Sequence, residues 1–426
     1  MIKLIKNADV YAPEHLGKKD ILIVGEKVCR IADKIEGYDA LPEVEVFDLA
    51  GKKLVPGYID LHVHITGGGG EQGPASRVPE SQLSFFMKNG ITTVVGLLGT
   101  DGITRSIENL VAKARALNDE GMTVYCLTSS YRYPSHTITD TVEKDIVMIP
   151  PMIGVKLAVS DHRSSNPTAQ ELIDLGTQAR RAGLLSNTPG LVTMHMGSGK
   201  GKLDPLFEAL DTSDIPVKNF LPTHIGRSKE LTTAAAELVR RGGYADFTAG
   251  SSDAEVPAMC DMMEYCMSLP GVSFDGLTLS SDAFGSQPRF DEKGECIGLT
   301  YASPEFLHKT VKEFVKRGVA LEEVLKLLTK NPADVLAKNG VKGCVAEGAD
   351  ADLLVLDENL DINGLFVRGK VGVLDGKVIM HGRFESISYK EFPAVYVGNS
   401  FFTIHALCVI ILIEKFFKEV CHGKIY

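Results

Sequence analysis

Short apolar or alternating runs broken by Gly and Pro open the chain: MIKLIKNADVYAP, DILIVGEKVCRIAD and VEVFDLAGKKLVP. Period-two alternation puts successive side chains on opposite faces of an extended strand, so this stretch predicts a small all-β unit. The same texture returns from about 351 to 385 in ADLLVLDENLDINGLFVRGKVGVLDGKVIMHGRFE. The two ends are therefore expected to pair into one small discontinuous β-sandwich domain, 1–54 with 347–387.

Between the ends, apolar β-type runs alternate with helical stretches. GITTVVGLLGT, GMTVYCLTSS, MIGVKLAVS, LVTMHMG, FLPTHIGR, YADFTAG and LTLSSDAFGS are separated by segments such as ELIDLGTQARRAGLL and ELTTAAAELVRRGG. A strand-then-helix order repeated over 55–346 predicts an α/β protein built on a TIM-like (β/α)8 barrel. Active sites in such barrels sit at the C-terminal ends of the strands, and the polar residues of these runs fall there. Residues 388–426 depart from the plan. FFTIHALCVIILI is almost unbroken apolar sequence, yet shorter than the roughly 20 residues a spanning helix needs. It is read as an atypical C-terminal extension, a helix packed on the protein or on a neighbouring subunit, and not as a bilayer span.

Composition narrows the chemistry. A formal charge of -10 over 426 residues, without clusters of Lys and Arg, argues against nucleic acid, because phosphate neutralisation needs such clusters. Small-molecule substrates fit better. The eight cysteines are scattered with no C-x-x-C pair, so neither a zinc knuckle nor a disulfide framework is signalled, and a cytoplasmic location is expected. The N-terminus lacks the apolar stretch and small-residue cleavage site of a secreted chain.

Candidate ligands stand at the strand ends. Asp60, His62 and His64 in VPGYIDLHVHITGGGGE share one strand face by period two, and two imidazoles on one face can share a metal. A lone H-x-H is more often an exposed or hydrogen-bonded pair. Here His195 closes LVTMHMG, His224 closes FLPTHIGR and Asp282 closes LTLSSDAFGS, so imidazoles and a carboxylate from four strand ends converge at one barrel mouth. Nitrogen and oxygen donors of this kind suit zinc with an open position for water. Lys156 lies inside the apolar run IGVKLAVSDHR, where a bare ammonium is costly and needs a partner or a modification. GSGKGK at 197–202 lacks the spacing of a phosphate-binding loop.

These residues, with the stretches HVHITGGGGEQGP, VVGLLGTDG, TITDTVEKDI, GVKLAVSDHRS, PTHIGR and LSSDAFGSQP, resemble the amidohydrolase superfamily and, within it, the isoaspartyl dipeptidases. The resemblance runs from the first strands to about residue 385. It implies two zinc ions, with His62 and His64 on one, His195 and His224 on the other, carboxylated Lys156 bridging, and Asp282 beside a bridging hydroxide as general base and acid. It implies Tyr131 in SSYRYP as support for the oxyanion, with Tyr133 a close decoy. Glu71, Arg163 and Arg227 then match positions that meet the charged ends of a dipeptide, and Gly69, Thr100 and Ser286 are expected as hydrogen-bonding neighbours. A homo-oligomer is expected. The alternative keeps the metal centre and changes the substrate to a cyclic amide of the dihydroorotase or hydantoinase type. A non-catalytic assembly protein on the same barrel would have lost ligands, and all six positions are filled.

Overall fold

The computed structural model describes residues 1–290 and 296–385, so the expectations for 388–426 and for the last two residues of 347–387 lie outside the described residues. The chain begins with β1 (Ile2–Tyr11), β2 (His15–Val24), β3 (Lys27–Ala32), β4 (Val44–Asp48) and β5 (Lys53–Pro56). Eight barrel strands follow: β6 (Tyr58–Val63), β7 (Ile91–Gly96), β8 (Thr123–Thr128), β9 (Met152–Val159), β10 (Leu191–Met196), β11 (Phe220–Thr223), β12 (Ala245–Thr248) and β13 (Leu277–Ser280). A hairpin of β14 (Ser286–Phe290) and β15 (Cys296–Tyr301) comes next, and β16 (Leu353–Leu356), β17 (Ile362–Val367), β18 (Lys370–Leu374) and β19 (Lys377–Val378) end the described chain.

As the texture of the two ends predicts, β1–β5 and β16–β19 join in one nine-stranded sheet, with β16 pairing antiparallel to β5. The sheet curls back on itself. Val28 in β3 meets the segment before β16 through bonds to Ala349 and Gly348. Ile5, Ile21, Ile23, Leu54, Leu353, Val355 and Phe366 then share one core.

The barrel strands are parallel throughout. β6 to β11 form a continuous six-stranded sheet, β12 pairs with β13, and β11 lies beside β12. The ring closes where Val63 bridges Ala283 and the His64 amide donates to the Ala283 carbonyl at 2.9 Å. Every residue of β6, β7, β9, β10, β11 and β13 is buried. Strands covered on both faces read as unbroken apolar runs, which is how these segments look in the sequence. The intervening helices begin where polar caps precede apolar periodicity. In Ala169–Ser186, Thr168 and Glu171 form a reciprocal capping box, and Asn187 ends the helix in a left-handed conformation. Among the described residues, no helix is long and apolar enough to cross a membrane.

Candidate metal centre and substrate cavity

The barrel's C-terminal mouth opens into a cavity of about 840 Å3 lined by His64, Gly69, Glu71, Thr100, Tyr131, Arg163, His195, His224, Arg227, Asp282 and Ser286. His62 and Lys156 lie beneath this floor, 1% and 0% exposed. The residues expected as metal ligands and substrate contacts are thus brought to one place.

Period two delivers His62 and His64 to the same face of β6 and its end. Together with Asp282 they offer ligand atoms that all lie within 4.8 Å of one another. Asp282 Oδ1 stands 3.0 Å from His64 Nε2 and 3.4 Å from His62 Nε2. Asp60 shares the strand face but belongs elsewhere: it accepts from the Ser281 amide at 3.1 Å and from the Ser281 hydroxyl, tying β6 to the end of β13. His224 and Asp282 each follow a strand end with positive φ, +65° and +54°. Side chains held in that sparsely populated region cluster at functional sites, where the surrounding structure imposes the conformation. The His224 ring lies 4.5 Å from that of His195 and 5.0 Å from that of His62, centroid to centroid.

Burial dominates the electrostatics. It drives His62 and His224 well below the ordinary imidazole range, helped by neighbouring cations, and it brings His195 down to about 3 against the opposing bond from Asp161. Neutral imidazoles are the form that binds a metal. Burial also brings the Lys156 amine down to about 7, with Asp282 and Asp246 pulling the other way. Its Nζ has His62 Nε2 at 3.1 Å. Burial raises the Asp282 carboxyl, but the His64 hydrogen bond and nearby positive charge outweigh it and leave the group below its usual range.

The donor set fits a metal centre. His62 Nδ1, His64 Nδ1 and His224 Nε2 are buried ring nitrogens with no hydrogen-bond partner. Such atoms are costly unless something satisfies them, and a cation does so. Tyr131 donates or accepts at His195 Nδ1 over 2.7 Å, whereas Tyr133 is held apart by its backbone bond to Ser165. On the wall, Ser286 donates to Glu71 at 3.0 Å, Arg163 lies 3.5 Å from Glu71 and donates to Thr100 at 3.2 Å, and Arg227 donates to the Met196 carbonyl at 2.6 Å. His162 is exposed at the rim, 3.5 Å from Asp161.

Three contributors escape a reading of the sequence. Asp161 accepts from Arg163 Nε at 2.9 Å and lies 3.1 Å from His195 Nε2; burial raises its carboxyl, but these bonds outweigh that and hold it far below the ordinary range. Thr248 holds His224 Nδ1 at 2.6 Å, leaving Nε2 turned to the cluster. Arg105, buried, donates to the carbonyls of Thr66, Gly68 and Val78 and so fixes the glycine loop that carries Gly69 and Glu71. A carboxylate two residues before Arg163 in SDHR is a weak signal for the first. The other two have none.

Comparison with known proteins agrees with this geometry. Residues 229–378 match the amidohydrolase family profile. The structure of a β-aspartyl dipeptidase from Fervidobacterium islandicum AW-1 in complex with a β-Asp-Leu dipeptide is 41% identical, superposes with a TM-score of 0.82, and matches 89% of this chain and 97% of that one. A D-hydantoinase shares the fold at 17% identity and a TM-score of 0.64. Among curated relatives, a dihydroorotase from Staphylococcus aureus is 32% identical over 118 residues; the match spans 28% of this chain and 26% of the relative's length. The chain belongs to the β-aspartyl dipeptidase family of the amidohydrolases.

Proposed function

We propose that this protein is a metal-dependent hydrolase that cleaves β-aspartyl (isoaspartyl) dipeptides. One observation carries the reading: a floor of buried, neutral imidazoles and Asp282, with Lys156 beneath it, meets in the same cavity the Glu71 carboxylate and two guanidinium groups, Arg163 and Arg227. A β-aspartyl dipeptide presents a free α-ammonium and carboxylates, and that set complements these groups. Gly69, Thr100 and Ser286 supply hydrogen bonds around the same charges.

His62 and His64 would hold one zinc ion, and His195 and His224 the other. Lys156 would bridge them as a carbamate, formed when its neutral amine adds CO2 and releases a proton. Its pKa near 7 provides neutral amine at physiological pH. The bound ions supply polarisation of the scissile carbonyl and acidification of water. Asp282, held ionised at the mouth, takes a proton from the attacking water and returns it to the departing amine. Tyr131, whose phenol burial keeps protonated, donates to the developing oxyanion. The same reading takes the enzyme to be a cytoplasmic homo-oligomer.

The test is turnover of β-Asp-Leu against α-Asp-Leu and dihydroorotate by zinc-loaded protein with bicarbonate. Selective cleavage of the β-linked peptide is expected. Preference for the ring would instead favour a cyclic amide hydrolase, the second reading, which the partial dihydroorotase match supports. Lys156→Ala is expected to abolish turnover and reduce bound zinc, and near-normal values of both would contradict the carbamate.

A further inference from the structure

The helix Glu255–Ser268 carries two apolar stripes. Val256, Cys260, Met263 and Cys266 are buried in the core. Ala258, Met259 and Met262, which with Glu255 follow i, i+3, i+4, i+7 spacing, form an adjacent face that lines the candidate cavity. Met259 lies directly against the strand-end loop: a Cβ added at Gly226 would come 2.9 Å from its Sδ, one residue before Arg227. Met259 and Met262 are half-buried and also touch the core, but unlike the first stripe they keep part of their surface on the cavity.

Glu71, Thr100 and Arg163 form one linked cluster on the cavity lining, and the methionines come from a separate element, the helix Glu255–Ser268, with Met259 against the loop that carries Arg227. A dipeptide with its scissile carbonyl at the floor sends its two residues in different directions from that point. The aspartyl half, with its free ammonium and carboxylate, suits the Glu71–Arg163 cluster, which leaves the methionine-lined part of the cavity for the other residue.

We infer that Met259 and Met262 are the residues that select the leaving amino acid, by packing against an apolar side chain of medium size. This rests on the β-aspartyl dipeptidase reading and adds a determinant to it. Methionine suits the task because its unbranched, polarizable chain adapts to several shapes while still excluding water. The result is a preference for leucine- or methionine-like leaving residues over glycine, graded and not absolute.

The experiment compares kcat/KM for β-Asp-Leu and β-Asp-Gly in the zinc-loaded wild type, in Met259→Ser and Met262→Ser singly and together, and in the Met259→Leu/Met262→Leu double variant. The ratio of the two values cancels differences in the fraction of active protein. The wild-type ratio is expected on the order of 30, within the range that a few methylenes in an apolar pocket confer. The double serine variant should bring it to within about threefold of unity, and the leucine variant should keep it above about tenfold. A wild-type ratio near one, a ratio unaltered by the serine substitutions, or loss of preference in the leucine variant overturns the assignment while leaving dipeptidase activity standing. Wild-type protein inactive on both peptides overturns the underlying reading and this one with it.

Discussion

At the scale of single residues, the site depends on groups that touch the candidate ligands more than on the ligands alone. Asp161 is the clearest. Its carboxylate lies 3.1 Å from His195 Nε2, and a proton on that nitrogen makes Nδ1, which now has the Tyr131 hydroxyl at 2.7 Å, the nitrogen whose lone pair a metal would take in place of the phenol. The same Nε2 has Arg227 at 3.1 Å and Arg163 at 3.2 Å, and the carboxylate offsets their positive charge beside the ring. Asp161→Asn removes that charge at nearly constant shape. We expect zinc affinity or kcat/KM for β-Asp-Leu to fall about 10- to 100-fold. Metal titration with steady-state kinetics measures both, and unchanged values in the variant would show that the carboxylate does not orient the ring.

At the scale of elements, the glycine loop after β6 is held by a side chain from another segment. Gly67 and Gly69 have φ of +76° and +79°, and a Cβ at either would come within 2.0 Å of the Val78 carbonyl oxygen or 2.3 Å of that of Ser76. Only glycine permits so close an approach, and Arg105 gathers the buried carbonyls of Gly68 and Val78. Arg105→Met should free the loop and misplace Glu71. We expect kcat/KM to fall on the order of 10- to 100-fold, since a shift of about an ångström in a positioning group costs that much. Faster amide exchange at 67–70 should accompany it, and unchanged kinetics would count against the link. These cases also show what the sequence could convey. Strands buried on both faces left continuous apolar runs, period two put His62 and His64 together, and the ends of later runs carried His195, His224 and Asp282, so the barrel and its candidate ligands were legible. Arg105 meets carbonyls more than 25 residues away, a pairing that leaves no local pattern. Met259 and Met262 were hidden because a helix apolar on two faces reads as ordinary core.

At the scale of the molecule, the barrel and the flanking sheet are linked through one buried histidine. His308, on the helix Glu305–Lys316, bonds the Tyr58 hydroxyl of β6 at 2.9 Å and the Leu360 carbonyl before β17 at 2.7 Å. A carbonyl only accepts, so Nε2 carries the proton and Nδ1 accepts from Tyr58; the neutral ring satisfies both neighbours. Burial brings the pKa of His308 down to about 4, with Lys312 lowering it further and the Leu360 bond, Asp361 and Asp357 opposing. The unfolded chain, with an imidazole near 6.5, therefore binds the extra proton between about pH 6.5 and 4, and the folded chain does not. The stabilisation is full above the unfolded value and is lost as pH falls toward the folded one. Between pH 7 and 5 this amounts to about 2 kcal/mol. His308→Gln keeps one donor and one acceptor but cannot titrate. Denaturant unfolding of wild type and variant at both pH values is expected to show the wild type losing about 2 kcal/mol more than the variant on acidification. Every other titrating group, the metal-site histidines included, contributes to both proteins and cancels in that difference. Equal losses would mean that the ring takes up its proton over the same pH range folded as unfolded, and that the joint between barrel and sheet does not depend on its neutral form.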